Sequence, residues 1–307
     1  MKKYIFKRLL TSLLTLLIML TLTFFLMHFI PGSPFIGDKK MTPEILANLN
    51  AKHGLDKPLI VQYWLYLKNA LHGDLGQSIT LIGQDVNSII ARKFPYSMRL
   101  GLFSGILAII IGTFLGVISA LKKNTNADRL IMLFVTIGIA VPSFVVATVG
   151  MIVFGVQLKW LPTISNLTAI SSYILPGFAL SFFPLSYITR IMRSSMLDVI
   201  NQDYIRTARA KGLTNRVVIF KHGLRNGILP VVTYIGPMLA GILTGSFVIE
   251  SVFSIPGLGS SFVTSITARD YPTVMGVTIF FGAILILMNF LVDIVYKFVD
   301  PRIKIIT

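Results

Sequence analysis

A chain of 307 residues that is 54% hydrophobic and 13% charged, with mean hydropathy +0.78, does not read as a soluble domain, which carries about 25% charged residues. Its 28 Lys and Arg outnumber 12 Asp and Glu, leaving a formal charge of +16. No soluble stretch remains to present a basic groove, which speaks against nucleic acid and for basic loops on the cytoplasmic side of a membrane. The absence of Cys excludes disulfides and thiolate metal sites.

Met1 to Arg8 is basic, and Leu9 to Ile30 is a 22-residue apolar run. As a helix it is about 33 Å long, enough to span. The run is long for the apolar core of a signal peptide, and Pro31-Gly32-Ser33 is a poor cleavage site. It is expected to be an uncleaved first span, with His28 at its outer, interfacial end.

Residues 31–96 are expected to form a helical extracytoplasmic loop domain. Thr42-Pro43 is a helix start and Gly54 a stop. Asp56 to His72, ended by Gly73, is a second helix with an apolar face of Val61, Trp64, Leu65, Tyr66 and Leu71. A platform for a delivering protein and a small folded cap are both open readings.

Span two is expected over 97–121, followed by Lys122, Lys123 and Arg129 in a short inward connection. Span three, about 130–158, carries Pro142, Ser143 and Phe144 near its middle. A mid-span proline frees a carbonyl and kinks the helix, and both an architectural kink and a place on a transport path are open. Trp160 suits an aromatic belt at the outer face. Span four, about 172–191, is interrupted by Pro176 and Pro184.

The stretch 203–230 is the longest basic one. Asp203 is placed to cap a short helix that Gly212 ends. Thr207, Ala208 and Ala210 are small, so another protein's surface has room to approach. A second short helix starts at Thr214 and runs toward Asn226, so 194–227 reads as a helix–turn–helix at the cytoplasmic face.

Span five, about 228–253, holds Gly241 and Gly245, a small-x-x-x-small face for tight packing. Glu250 lies near its outer end, where it is either a functional acid or a turn cap at headgroup depth. Span six, about 273–299, carries Asp293 near its inner end, expected to contact a basic loop residue, and Asp300-Pro301-Arg302 closes it. The inner segments carry 18 Lys and Arg and the outer ones nine, which puts both termini in the cytoplasm.

Tyr204 to Leu213, with Arg206, Thr207, Ala208, Arg209, Ala210, Lys211 and Gly212 inside it, then His222 to Asn226 and Pro230, resembles the cytoplasmic EAA loop of ABC importer permeases in the form taken by peptide permeases. The Glu of the general EAA pattern is absent. Pro31-Gly32-x-Pro34-Phe35, Gly54-Leu55-Asp56-x-Pro58-Leu59, Gly73-Asp74-Leu75-Gly76, Ile255 to Gly259 and Arg269 to Pro272 extend the likeness over nearly the whole chain. The chain is identified as a member of the oligopeptide, dipeptide and nickel family of ABC importer permeases, most similar to B-type subunits of the oligopeptide branch.

The resemblance implies an all-α integral membrane protein with six transmembrane helices in the type I ABC importer permease fold. It implies a first span over 1–30, the outer loop domain over 31–96 and a permease core over 97–307. It further implies a coupling helix, at Tyr204 to Leu213, docking into an ATPase. The partners it implies are a second homologous permease subunit, two ABC ATPase subunits and an extracytoplasmic peptide-binding protein. Pro142, Ser143, Phe144, Gly241, Gly245 and Glu250 are candidates for the translocation path or gate.

No Gly-Lys dipeptide, His-Glu-x-x-His or Gly-x-Ser-x-Gly occurs, so no catalytic residue, cofactor or metal site is expected, and ATP hydrolysis is placed on another polypeptide. No half-by-half repeat is visible, which argues against many secondary transporters. A secondary transporter and a receptor or scaffold remain the rival classes, separated from a permease by whether ATPases co-purify.

Overall fold

The computed structural model describes residues 2–29, 44, 47–48, 50–51, 54–163 and 169–299. The Pro31–Phe35 stretch, the helix start at Thr42-Pro43, the Asp293 side chain and Asp300 to Arg302 lie outside the described residues.

In chain order the helices are α1 (Lys2–Phe29), α2 (Leu59–Leu71), α3 (Val86–Leu121), α4 (Asn126–Ala140), α5 (Ser143–Gly150) and α6 (Ile174–Ile200). Then come α7 (Asp203–Ala210), α8 (Asn215–Gly227), α9 (Leu229–Leu243), α10 (Phe247–Val252), α11 (Leu258–Thr267) and α12 (Tyr271–Val299). Among the described residues no strand forms, and one isolated bridge pairs Gln77 with Asp85.

Four helical stretches are long and apolar enough to cross a membrane: Leu10–Phe29, Val86–Leu121, Ile170–Ile200 and Tyr271–Leu291. Two bent pairs, Asn126–Ala140 with Ser143–Gln157 and Asn215–Gly227 with Leu229–Leu243, bring the total to six if each is one span. Exposed Leu13, Leu17, Ile106, Ile110 and Phe114 suit lipid contact, since lipid tails are as apolar as leucine.

Several boundaries differ from the sequence expectation. α3 begins at Val86, inside the segment expected as loop, and its 36 residues include Pro95. At 1.5 Å per residue it is about 54 Å long, more than a bilayer core needs. α6 is continuous through Pro184, and Pro176 falls in its first turn, where a missing N–H leaves no bond unmade.

The chain divides into two compact units. The first comprises Met1–Ser97 and Pro256–Ile286. Its cores are Leu20, Phe24, Tyr63 and Met275, and Val86, Ile90, Leu258 and Val277. Tyr63 of α2 packs on α1 and its hydroxyl lies 2.7 Å from Thr21 Oγ1. Of the expected apolar face of α2, Val61, Trp64, Leu65 and Leu71 are exposed and Tyr66 packs against this core, while Tyr63, outside that face, is buried. His28 joins Gln62 and stacks on Tyr271.

Asp270 is buried in this unit and accepts from Ser78 Oγ, from Ile79 N at 3.0 Å, and from Thr80 and Thr273 Oγ1, both at 2.9 Å. These bonds fasten residues 78–80 to the start of α12.

The second unit comprises Met98–Ile255 with the segment from Leu287. Leu185, Ile188, Met192 and Met196 of α6 form the spine of its core, with Val117 of α3, Ile219 of α8 and Val231 of α9 around them. α3 and α6 approach through Gly112 and Gly116: an added Cβ at Gly112 would lie 2.8 Å from Leu185 O, and one at Gly116 2.8 Å from Thr189 O. The small-x-x-x-small contact thus sits at Gly112 and Gly116, not at Gly241 and Gly245.

Candidate functional site

The basic loop folds on α6. Asn201 and Gln202 turn the chain, and α7 follows. Gln202, not Asp203, holds the N-cap position, and its side chain makes no capping bond. Asp203 is the first helical residue, still favourable at the positive helix end, and lies 3.6 Å from Arg206.

The other end closes as the glycine demands. Gly212 has φ +74; its N–H bonds to Arg209 O at 2.9 Å, and Leu213 N–H reaches back to Ala208 O at 3.4 Å. These are the two bonds of a Schellman motif, so the final carbonyls are satisfied and the helix stops sharply.

One face of α7 is inward. Ile205 and Ala208, three apart and so on one face, are buried against Val218 and Val199. This corrects the expectation that Ala208 lies open to a partner: α7 needs an apolar seat, and these residues provide it. Tyr204, Arg206, Thr207, Arg209, Ala210, Lys211 and Leu213 are exposed. Asn226 Nδ2 donates to Tyr204 Oη at 2.9 Å, tying α7 to α8. Exposed Val217 and Phe220 extend the apolar part of this loop surface.

α8 follows Thr214, as expected, but opens into a wider π-type turn over Val218–Gly223. It then bends by 50° into α9.

The second feature is a corner. α4 and α5 meet at 105°, far beyond the proline kink expected of span three. Val141 and Pro142 are both extended, at φ −87, ψ 124 and φ −59, ψ 141, so the chain breaks rather than bends. A cavity of about 480 Å³ opens there, walled by the corner, α6 and α9. Pro142, Pro184 and Pro237 from three helices reach the same cavity, with Phe183 and Tyr234 beside them.

Of the six candidate path residues, Pro142, Ser143 and Gly241 line this cavity and Phe144, Gly245 and Glu250 do not. α9 ends at Leu243 instead of running to 253. Gly245 has φ +93 in the break that follows, so it shares no helical face with Gly241. Glu250 lies on α10 and is fully buried within the protein.

Residues 112–305 match the family described as "Binding-protein-dependent transport system inner membrane component", and residues 1–101 match its N-terminal companion. The chain belongs to this family. It is 45% identical to the oligopeptide transport system permease protein OppB of Haemophilus influenzae over 99% of this chain and 100% of that one. It is 46% identical to OppB of Salmonella typhimurium, over 99% and 100%, and 46% identical to the dipeptide transport system permease protein DppB of Bacillus subtilis, over 99% and 99%.

Among solved structures, an inward-facing MetNI methionine ABC transporter aligns with TM-score 0.56 and 17% identity, covering 69% of this chain and 96% of that one. An amino acid ABC transporter with histidines aligns at 0.54 and 13%, covering 69% and 94%. The fold is therefore that of type I ABC importer permeases, and the protein is a multi-pass inner-membrane permease.

One feature of the permease escaped the sequence reading. Asp128, at the start of α4, receives Arg193 Nε and Nη2 of α6, both at 2.8 Å. Ser119 Oγ and Asn124 N at 2.9 Å complete its shell. The pair clamps the α3–α4 turn to α6 two turns before the basic loop. Its sequence signal was Thr125-x-x-Asp128, a capping pattern that the Thr125 side chain fulfils.

Proposed function

We propose that this permease is one of two homologous membrane subunits of an ATP-driven oligopeptide importer, served by two ABC ATPase subunits and an extracytoplasmic peptide-binding protein. The observation that carries the reading is identity of 45–46% from end to end with permeases of oligopeptide transport systems. Hydrolysis is assigned to the partners because the chain offers no phosphate-binding loop.

In this reading the spans number six, each bent pair counting as one, and both termini are cytoplasmic. α7 is the coupling helix. Its seat, Ile205 and Ala208, holds it on α8, and Gly212 fixes where it ends. Tyr204, Arg206, Arg209, Lys211 and Leu213 face the ATPase, so nucleotide-driven motion reaches the spans through a rigid element rather than a loose loop. Residues 31–96 lie outside.

Uptake of di-, tri- and pentapeptides, and of nickel, in a strain lacking its own peptide importers tests the substrate. Tripeptide and pentapeptide uptake that requires both ATPases supports the reading; uptake of nickel alone ends it. Dipeptide carriage is the second reading, favoured by the likeness to the dipeptide permease of Bacillus subtilis, and it predicts that pentapeptides are refused. Because the chain has no Cys, Asn215→Cys and Asn50→Cys report topology cleanly. An impermeant thiol reagent on intact cells should label position 50 and spare position 215, and the reverse pattern overturns the orientation.

A further inference from the structure

α2 lies beside two membrane spans, not above their ends. Its Tyr63 shares one cluster with Leu20 and Phe24 of α1 and Met275 of α12, with Ile279 packed against it. The Tyr63 hydroxyl is 2.7 Å from Thr21 Oγ1. Thr21 stands eight residues before Phe29, where the α1 span ends, and so about 12 Å inside that end. Met275 and Ile279 stand four and eight residues into the span that begins at Tyr271, about 6 and 12 Å along it. The two spans agree, and half of a hydrocarbon core is about 15 Å thick. The packed side of α2 therefore sits at hydrocarbon depth within one leaflet.

The open side of α2 is apolar. Ile60, Val61, Trp64 and Leu71 are exposed, and at about 100° per residue they fall on one stripe. Lys57 and Lys68, both exposed, stand on the same stripe, and α2 contains no acidic residue. Gln62 turns away from it, within 3.2 Å of His28 Nε2 and donating to Lys57 O at 2.7 Å. A helix on a water surface packs its apolar side and shows its polar one. In α2 the packed side holds the hydrogen bonds and the open side holds the isoleucine, leucine and tryptophan.

We infer that α2 is sunk into the leaflet at the C-terminal end of α1, with Ile60, Val61, Trp64 and Leu71 against phospholipid acyl chains. An indole suits the boundary between chains and headgroups, and lysine stems run along apolar surface to carry their ammonium groups to headgroup level. Exposed Leu22 and Leu26 of α1 continue the apolar surface at the same depth. A helix seated this way ties the loop domain to the bilayer, whatever the substrate of the permease.

Because the chain has no Cys, single nitroxides are placed at Ile60→Cys and Trp64→Cys, with Ser88→Cys as the water reference. Ser88 is exposed near the start of α3, the helix that is longer than a bilayer core. Each variant is assembled into the full complex with Cys-free partner subunits, in vesicles of phosphatidylethanolamine and phosphatidylglycerol. Spin relaxation by molecular oxygen, which concentrates in lipid, is compared with relaxation by a water-soluble nickel chelate. The oxygen-to-nickel ratio at 60 and 64 should exceed that at 88 several-fold, and adding the binding protein should leave it unchanged. A benzophenone attached to Trp64→Cys should yield a phospholipid adduct on illumination.

Nickel collisions at 64 as frequent as at 88 would put the stripe in water. Loss of both kinds of collision, with the benzophenone joined to a protein subunit, would put the second permease or another protein over it. Either result, or a ratio that falls when the binding protein docks, overturns the inference.

Discussion

Two helices of this permease end abruptly, and they end in opposite ways. At Gly212 the left-handed residue returns the chain so that the last carbonyls of α7 find N–H partners. At Val141-Pro142 the chain runs extended through the break, and the last carbonyls of α4 are left without a continuing helix. The first end is closed, polar outside and seated inside, as the proposed docking to an ATPase requires. The second is open, and its last residues Ile139 to Ser143 line a cavity. Glycine and proline are both helix breakers, but glycine permits the bonds that finish a helix and proline withholds the donor that would. The kind of break, more than its presence, separates a helix end that is closed on itself from one that opens beside a cavity.

α6 joins the two regions, lining the cavity through Pro184 and leading into α7, and Arg193 anchors it. The largest effect is expected there. Arg193→Ala leaves the buried Asp128 carboxylate without its cation and should destabilise the permease by about 3–5 kcal/mol, read as thermal unfolding of the purified complex. Arg193→Lys should fall between, because an ammonium cannot make both bonds of the fork. A variant as stable as the parent would show that the clamp holds nothing.

A pair of substitutions then separates seat from surface. Ala208→Trp overfills the contact with Ile205 and Val218, at about 1–3 kcal/mol, and should detach α7. Ala210→Trp, on the exposed side, should leave the loop intact and block ATPase docking by shape. Protease nicking within 201–215 should rise for the first and not for the second, while co-purification of the ATPases falls for both. Equal nicking would erase the distinction between the two faces.

Gly212→Val should follow, at roughly 1–2 kcal/mol for a branched residue at positive φ. Protein levels should be near normal, with ATPase activity no longer stimulated by loaded binding protein; normal stimulation would mean that the sharp stop is not needed. The smallest effects belong to Arg206, Arg209 and Lys211. Exposed charges contribute little each, so single neutralisations should weaken ATPase assembly by about fivefold or less and lose even that at high salt. A salt-independent loss would place one of them in a buried contact.

Much of this was legible before any coordinate. The apolar runs announced the spans, because a bilayer demands about 20 apolar residues from any helix that crosses it. Gly212 announced the end of α7, because a glycine after a short polar helix has few other uses. Thr214 was legible as the start of α8 for a similar local reason. These are properties of a few neighbouring residues and the solvent around them.

What the tertiary structure decided are the matters that depend on a partner helix. Proline at 142 says that a helix is disturbed, but 105° rather than a shallow kink follows from where α5 finds its packing on α6 and α10. Spacing four apart marks both Gly112 with Gly116 and Gly241 with Gly245, yet only the first pair meets another backbone; the second has empty space at one residue and a turn at the other. Ala208 is small in either reading, and only Val218 and Val199 beneath it turn it inward. Asp128 and Arg193 are 65 positions apart, and no periodicity links them. Local sequence determines which bonds a residue is able to make, and the fold determines which groups are there to make them.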